Sequence, residues 1–234
     1  MNNLFLFGKK YIDTIMFVDR SKYGETNTCN NIIQKHGGIY NFKEAGIKNY
    51  KVSFITSGRK KAYIVSDRGI SQRTSYVFNS HNSELDSKTI DTINSTADWL
   101  HVAYVDDIEC YTDLEKITKP FSIDFCTDNP REKYKEIMKH SSVVFDSRER
   151  KHLYKNIAID TPIILHDDHG IEVVKKNHTV YEKDSTPILN LDVNGAGDIY
   201  AAIFLDNYSK INVAKSALIA MRETTKILIN RKKK

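Results

Sequence analysis

Residues 192–204, DVNGAGDIYAAIF, set two glycines and an alanine directly before an acid, and the chain then runs into an apolar segment. Two of the ten glycines, Gly195 and Gly197, fall within three positions. Small residues at a helix entrance leave backbone N–H groups unobstructed, and those donors with the positive end of the helix dipole favour an anion. A carboxylate at Asp198 then has two readings. It caps the helix, or it accepts a proton from a hydroxyl lying beside the bound anion, as a kinase base does.

Other elements must hold such a turn. Apolar runs bounded by polar turns recur as NLFLFG, AYIVSD, TSYVFN, WLHVAYVDD, PFSIDF, SSVVFDS, TPIILHDD and GIEVV. From about residue 86 they alternate with helical patterns: SELDSKTIDTINSTA opens with a cap, NPREKYKEIMKH has proline in its first turn, and SRERKHLYKN follows the next strand. Alternation of this kind predicts an α/β fold of three layers, a mostly parallel, Rossmann-like sheet with helices on both faces. The segment IYAAIFLDNYSK reads as an amphipathic helix. Residues 9–80 are strand-rich and polar, with one short helical candidate after Gly38. They predict a small β lid, its strands drawn from about 9–36 and 60–80, on a single domain spanning 1–234. Ligands of open parallel sheets collect beyond the carboxyl ends of the strands. That directs attention to Asp124, Asp146, residues 166–170 and the NGAGD turn.

The stretch DVNGAGDIYAAIF resembles the C-terminal signature of the ribokinase-like (PfkB) carbohydrate kinases, D-[TS]-x-G-A-G-D, with Val193 in place of the hydroxyl residue. The resemblance implies that Asp198 is the general base toward a sugar hydroxyl, and that the amides of Gly195, Ala196 and Gly197 form an anion hole for the transferring phosphoryl group. FGKKYIDTIMFVD resembles the first strand of that family and its sugar-binding acid, which places Asp13 on the substrate. HGGIYNF resembles the segment that closes over the sugar, adding Gly37, Gly38 and Asn41, the asparagine standing one residue early. DSRER resembles an N-x-x-E box, with Glu149 near magnesium, directly or through water, and Asp146 in place of the asparagine. IILHDDHGIEVV resembles the nucleotide segment. The resemblance as a whole places Asp146, His166, Asp168, Gly170 and Asn194 on the nucleotide side. The resemblance covers essentially the whole chain. A helix and a G-D-D-x-x-G segment that the family carries after KNYKVSFITSG are missing, and the last helix stops early, trimming the substrate and adenine pockets.

Each residue also has a plainer reading. Asp13 would fix a turn at a strand end; Gly37 and Gly38 would merely permit positive φ; Glu149 would favour a helix dipole; Asp146 would be that helix's N-cap. The HDDH run at 166–169 invites a metal, but alternation along an extended segment splits its four ligands between two faces. Two carboxylates beside a polyanion require magnesium or lysines such as Lys175 and Lys176 to offset them.

Composition narrows the classes. The net charge of +5 lies partly in the terminal NRKKK and no nucleic-acid reader motif accompanies it, so no specific nucleic acid is expected. No apolar run approaches the ~20 residues that span a bilayer, and the start has no leader pattern. Cys29, Cys110 and Cys126 are odd in number and far apart, which suits reduced thiols and a cytoplasmic setting. A P-loop, a dinucleotide G-x-G-x-x-G and a hydrolase G-x-S-x-G are all missing. The sequence therefore predicts an ATP- and Mg2+-dependent kinase, with a monovalent cation as a further option, acting on a hydroxyl of a sugar, nucleoside or related small molecule. The alternative is a degenerate relative that binds such a ligand without turning it over. Pairing of the lid with a second copy is a further expectation of the resemblance.

Overall fold

The computed structural model describes residues 2–20, 22, 24–67, 69–70, 72–78, 85–109, 111–189 and 191–231. Cys110, the end of the expected lid segment at 79–80 and the lysines at 232–234 lie outside the described residues. The strands are β1 (Asn2–Val18), β2 (Asn31–Gly38), β3 (Tyr50–Asp67), β4 (Gln72–Val77), β5 (Trp99–Ala103), β6 (Phe121–Asp124), β7 (Val143–Ser147), β8 (Ile163–Asp167), β9 (Gly170–Lys175) and β10 (His178–Asp184). The helices are α1 (Ser87–Thr96), α2 (Lys135–His140), α3 (Ala196–Tyr208) and α4 (Val213–Arg231).

Among the described residues these strands form one sheet in the order β10-β9-β8-β7-β6-β5-β1-β3-β4, with β2 alongside β1. The pairs from β3 through β1 and β5 to β8 are parallel, while β9 and β10 complete the far edge antiparallel. The exposed strand β10 has little apolar alternation, which is why the sequence did not reveal it.

Two strands are unusually long. The first halves of β1 and β3 belong to the main sheet, where Leu4 and Leu6 are buried; their second halves pair with β2 and β4 to make a four-stranded outer sheet. The register shifts between Gly8 and Lys10, so Lys9 opposes two residues of β3, a bulge that redirects both strands as they leave the main layer. One face of the outer sheet buries Tyr11, Ile15, Phe17, Ala62 and Ile64. The other leaves Ile32, Tyr63, Tyr76 and Phe78 exposed.

Helices cover both faces of the main sheet, each over its own core. Ile90 and Ile93 of α1, Ile137 and Met138 of α2, and Leu114 pack on one face with Leu100, Ile123 and Val144. Helices α3 and α4 and the 3-10 segment Ile39–Ala45 pack on the other with Leu4, Leu6, Phe145 and Ile171. Helix α3 is not amphipathic as expected: every residue from Asp198 to Leu205 is buried, because the helix is enclosed by the sheet, α4 and the 39–45 segment. Helix α1 begins at Asp86, whose carboxylate accepts the Thr89 amide at 2.7 Å. The segment after β7 is a 3-10 helix, Arg148–Tyr154, capped by the Ser147 hydroxyl rather than by Asp146. No helix among the described residues is long and apolar enough to cross a membrane.

Candidate active site

A cleft of about 870 Å3 runs along the carboxyl ends of the central strands, beneath the outer sheet. It gathers Asp13, Gly38, Asn41, Asp146, Glu149, His166 and Asp168 with the whole 194–198 turn. Gly37 and Gly170, expected on the substrate and the nucleotide, do not line it.

The turn owes its shape to Gly195, whose φ of 74° and ψ of 14° are left-handed. The Ala196 amide donates back to the Val193 carbonyl at 3.0 Å. That corrects the three-amide anion hole, because this amide is spent on closing the turn. The amides of Gly195 and Gly197 have no protein acceptor among the described residues, and both residues line the cleft at the entrance of a 13-residue helix. They can hold an anion.

Asp198 is 2% exposed and does not cap its helix. One carboxylate oxygen accepts the Tyr104 hydroxyl at 2.8 Å, the other the Asn41 amide at 2.7 Å. Burial pushes its pKa up to about 6, against the lowering effect of those two hydrogen bonds. Asn41, expected on the substrate, therefore turns its amide to the acid and positions it. A Cβ at Gly195 would lie 2.5 Å from the Asn41 side-chain carbon, besides straining the positive φ. Gly195→Ala is expected to lose about 1–3 kcal/mol of stability and to displace Asn41. Urea unfolding checks this; an unchanged midpoint would contradict it.

Asp13 lies within β1 instead of at a strand end, so it fixes no turn. It is 4% exposed, and its carboxylate accepts the Asn194 amide at 3.3 Å; burial raises its pKa. Gly37 on β2 packs its backbone against that carboxylate, leaving no room for a Cβ. Asn194 was expected on the nucleotide side. Its amide instead bridges Asp13 and Arg73 of β4, whose guanidinium donates to the Asn194 oxygen at 2.5 Å. The turn and the outer sheet are thereby tied together.

Asp146 is fully engaged. It accepts Arg150 at 2.6 Å and the Ser147 amide at 2.7 Å on one oxygen, and Arg131 at 2.9 and 3.0 Å and Tyr154 at 2.6 Å on the other. Glu149 is exposed at the rim of the cleft. His166 stacks on Tyr200, with ring centroids 4.3 Å apart, and burial lowers its pKa to about 4, which keeps it neutral. Asp168 is exposed in the turn after β8, and Gly170 packs on the backbone of β10.

Two contributors, Tyr104 and Arg73, went unnoticed in the sequence, and a third, Asp124, was marked only by its place at a strand end. Tyr104 follows β5 but is separated from Asp198 by 94 positions. Arg73 lies on the outer sheet. Asp124, at the end of β6, is 5% exposed with no hydrogen-bond partner among the described residues. Burial and the nearby charges of Asp198 and Asp146 raise its pKa. An acid in that state is suited to a cation. No cluster of three metal-ligating side chains exists among the described residues. Beyond the turn the cleft is lined by Ile188, Leu191, Met221 and Leu228, with the buried Thr224 hydroxyl unpartnered. Thr225 also lines this part of the cleft.

No protein-family model and no curated protein matches the sequence. Solved structures do match. The ribokinase of Thermotoga maritima superposes with a TM-score of 0.66 at 17% identity, covering 99% of this chain and 93% of that one. The Arabidopsis thaliana ribokinase complexed with ribose and ATP gives 0.67 at 12% identity, covering 97% and 99%. The Burkholderia thailandensis nucleoside kinase in complex with inosine gives 0.68 at 12% identity, covering 96% and 90%. With its mostly parallel sheet, helices on both faces and near-complete superposition on these kinases, the chain has the ribokinase-like α/β fold.

Proposed function

We propose that this protein is an ATP-dependent phosphotransferase acting on a hydroxyl of a sugar or nucleoside-like small molecule. The observation that carries the reading is the meeting, in one cleft, of two unpaired amides at the mouth of α3 with a buried acid whose pKa lies near neutrality. Such a pKa suits a general base. Asp198, held by Asn41 and Tyr104, takes the proton from the acceptor hydroxyl, while Gly195 and Gly197 stabilise the charge that develops on the transferring group. Asp13 and Asn194 orient the acceptor beneath the outer sheet. When bound, Mg2+ neutralises the polyphosphate, with Asp124 and Glu149 as the side chains available to it or to its waters. Alignment of acceptor and donor supplies much of the acceleration. The neighbours' ribose, inosine, ATP and ADP complexes support small-molecule and nucleotide ligands of this kind.

Incubating the protein with Mg-ATP and a panel of sugars and nucleosides, and following phosphorylated product, tests the proposal. Transfer to at least one acceptor is expected; nucleotide binding without any transfer would favour a binder. The pH dependence carries a sign. Asp198 acts as a base only when ionised, so kcat/KM rises through about pH 6 and then levels. A rate independent of pH between 5 and 8 would contradict the assignment.

A further inference from the structure

Where β1 and β3 leave the main sheet, two lysines are buried around a single carboxylate. Lys9 is 2% and Lys60 is 4% exposed. Lys60 donates to one Asp107 oxygen at 2.5 Å; Lys9 lies 3.3 Å from the same oxygen and donates to the Asp107 carbonyl at 2.6 Å. The Tyr11 hydroxyl donates to the other oxygen at 2.7 Å. Asp107 is thus engaged on both oxygens, while among the described residues Lys60 has one acceptor for its three N–H donors. Two ammonium groups face one carboxylate, and burying unmatched charge is costly unless something compensates it.

Lys60, Tyr11 and Asp107 line the same cleft as Asp198, whereas Lys9 sits behind them. The bulge opposite Lys9 sets this arrangement, putting Tyr11 and Lys60 side by side in register. The run GRKK at 58–61 would ordinarily be a solvated charged face. Here its central lysine turns inward. Among the neighbouring acids, Asp106 is already taken by the amides of Cys126 and Thr127 and by the Thr127 hydroxyl, so it does not balance Lys60.

We infer that the acceptor is anionic, carrying a phosphate or carboxylate that binds Lys60 at the cleft wall formed with Tyr11 and Asp107. The inference rests on the phosphotransferase reading for the word acceptor, but its binding arm does not need transfer. An anion there fills the free Lys60 donors and removes the charge imbalance. Burial holds the Lys9 pKa below the usual lysine range, and an anion bound nearby would raise it.

Calorimetry without nucleotide tests this, using ribose, ribose 5-phosphate, gluconate and inorganic phosphate on the wild type, Lys60→Gln and Lys60→Arg. At least one anionic probe should bind 10-fold or more tightly than ribose. The preference should vanish in Lys60→Gln and persist in Lys60→Arg, with circular dichroism confirming that both fold. Comparing ribose 5-phosphate with gluconate tells phosphate from carboxylate. Ribose binding as tightly as every anion would overturn the inference, and so would a preference that survives Lys60→Gln, which would place the anion at the 195–197 turn. A Lys60-dependent preference with no transfer from ATP would uphold the inference and sink the phosphotransferase reading. Transfer to neutral sugars alone would do the reverse.

Discussion

Asp198→Asn is expected to lower the rate of phosphate transfer by ~10²- to 10⁴-fold, the usual cost of removing a general base, while the protein stays folded. The site can accept an amide. Its oxygen would take the Asn41 donor and its nitrogen would give a hydrogen bond to the Tyr104 hydroxyl, which reverses its role. Stability should move the other way from activity. A carboxyl whose folded pKa is raised from its ordinary 3.8 to about 6 contributes stability that is present below the lower value and lost as pH rises through the upper one. At pH 8 the asparagine variant escapes that loss and should be more stable than the wild type by up to about 3 kcal/mol. At pH 4 most of the advantage should disappear. Product formation and urea unfolding at the two pH values check both halves. A variant that transfers phosphate normally would remove Asp198 from the chemistry, and one less stable at pH 8 would show that the ionised acid is favoured by its surroundings.

The second large effect concerns support for the cleft. Arg131 is fully buried; it binds Asp146, donates to the carbonyls of Thr127 and Asn129 at 2.6 Å each, and lies over the Phe125 ring at 4.1 Å. It joins the segment after β6 to the end of β7, the two strands that carry Asp124 and Asp146. Arg131→Met would leave both carbonyls without their donor and Asp146 with a single arginine. Removing one partner of a buried ion pair costs about 3–5 kcal/mol, a large part of the 5–15 kcal/mol typical of a domain. Chemical denaturation should show that loss. A change below about 1 kcal/mol would mean that Arg150 and Tyr154 satisfy Asp146 unaided.

Where the sequence was informative, contiguity explains it. The 195–198 turn is built from consecutive residues, and a left-handed glycine before a helix leaves a local imprint. A mostly parallel sheet with helices on both faces followed from strand–helix repetition, whereas the order of its strands came only with the structure. Contacts between distant segments left no such trace. Asn41 meets Asp198 across 157 positions, and nothing local distinguishes it from a turn asparagine. Nothing local sets Arg131 apart; it is the fold that brings Asp146 of β7 beside it. Asn194 was drawn to the nucleotide by its place in the turn, yet the outer sheet approaches closely enough for Asp13 and Arg73 to claim its amide. The burial of α3 on all sides depends on α4 and the 39–45 segment, neither of which its own periodicity reveals.

Titration of the wild-type protein with Mg-ATP tests the central claim most directly, since the cleft must hold a triphosphate against Gly195 and Gly197 before Asp198 has anything to do. One nucleotide per chain is expected, with bound phosphate perturbing the amide resonances of those two glycines. Absence of binding, or binding that leaves both amides unperturbed, would contradict the account.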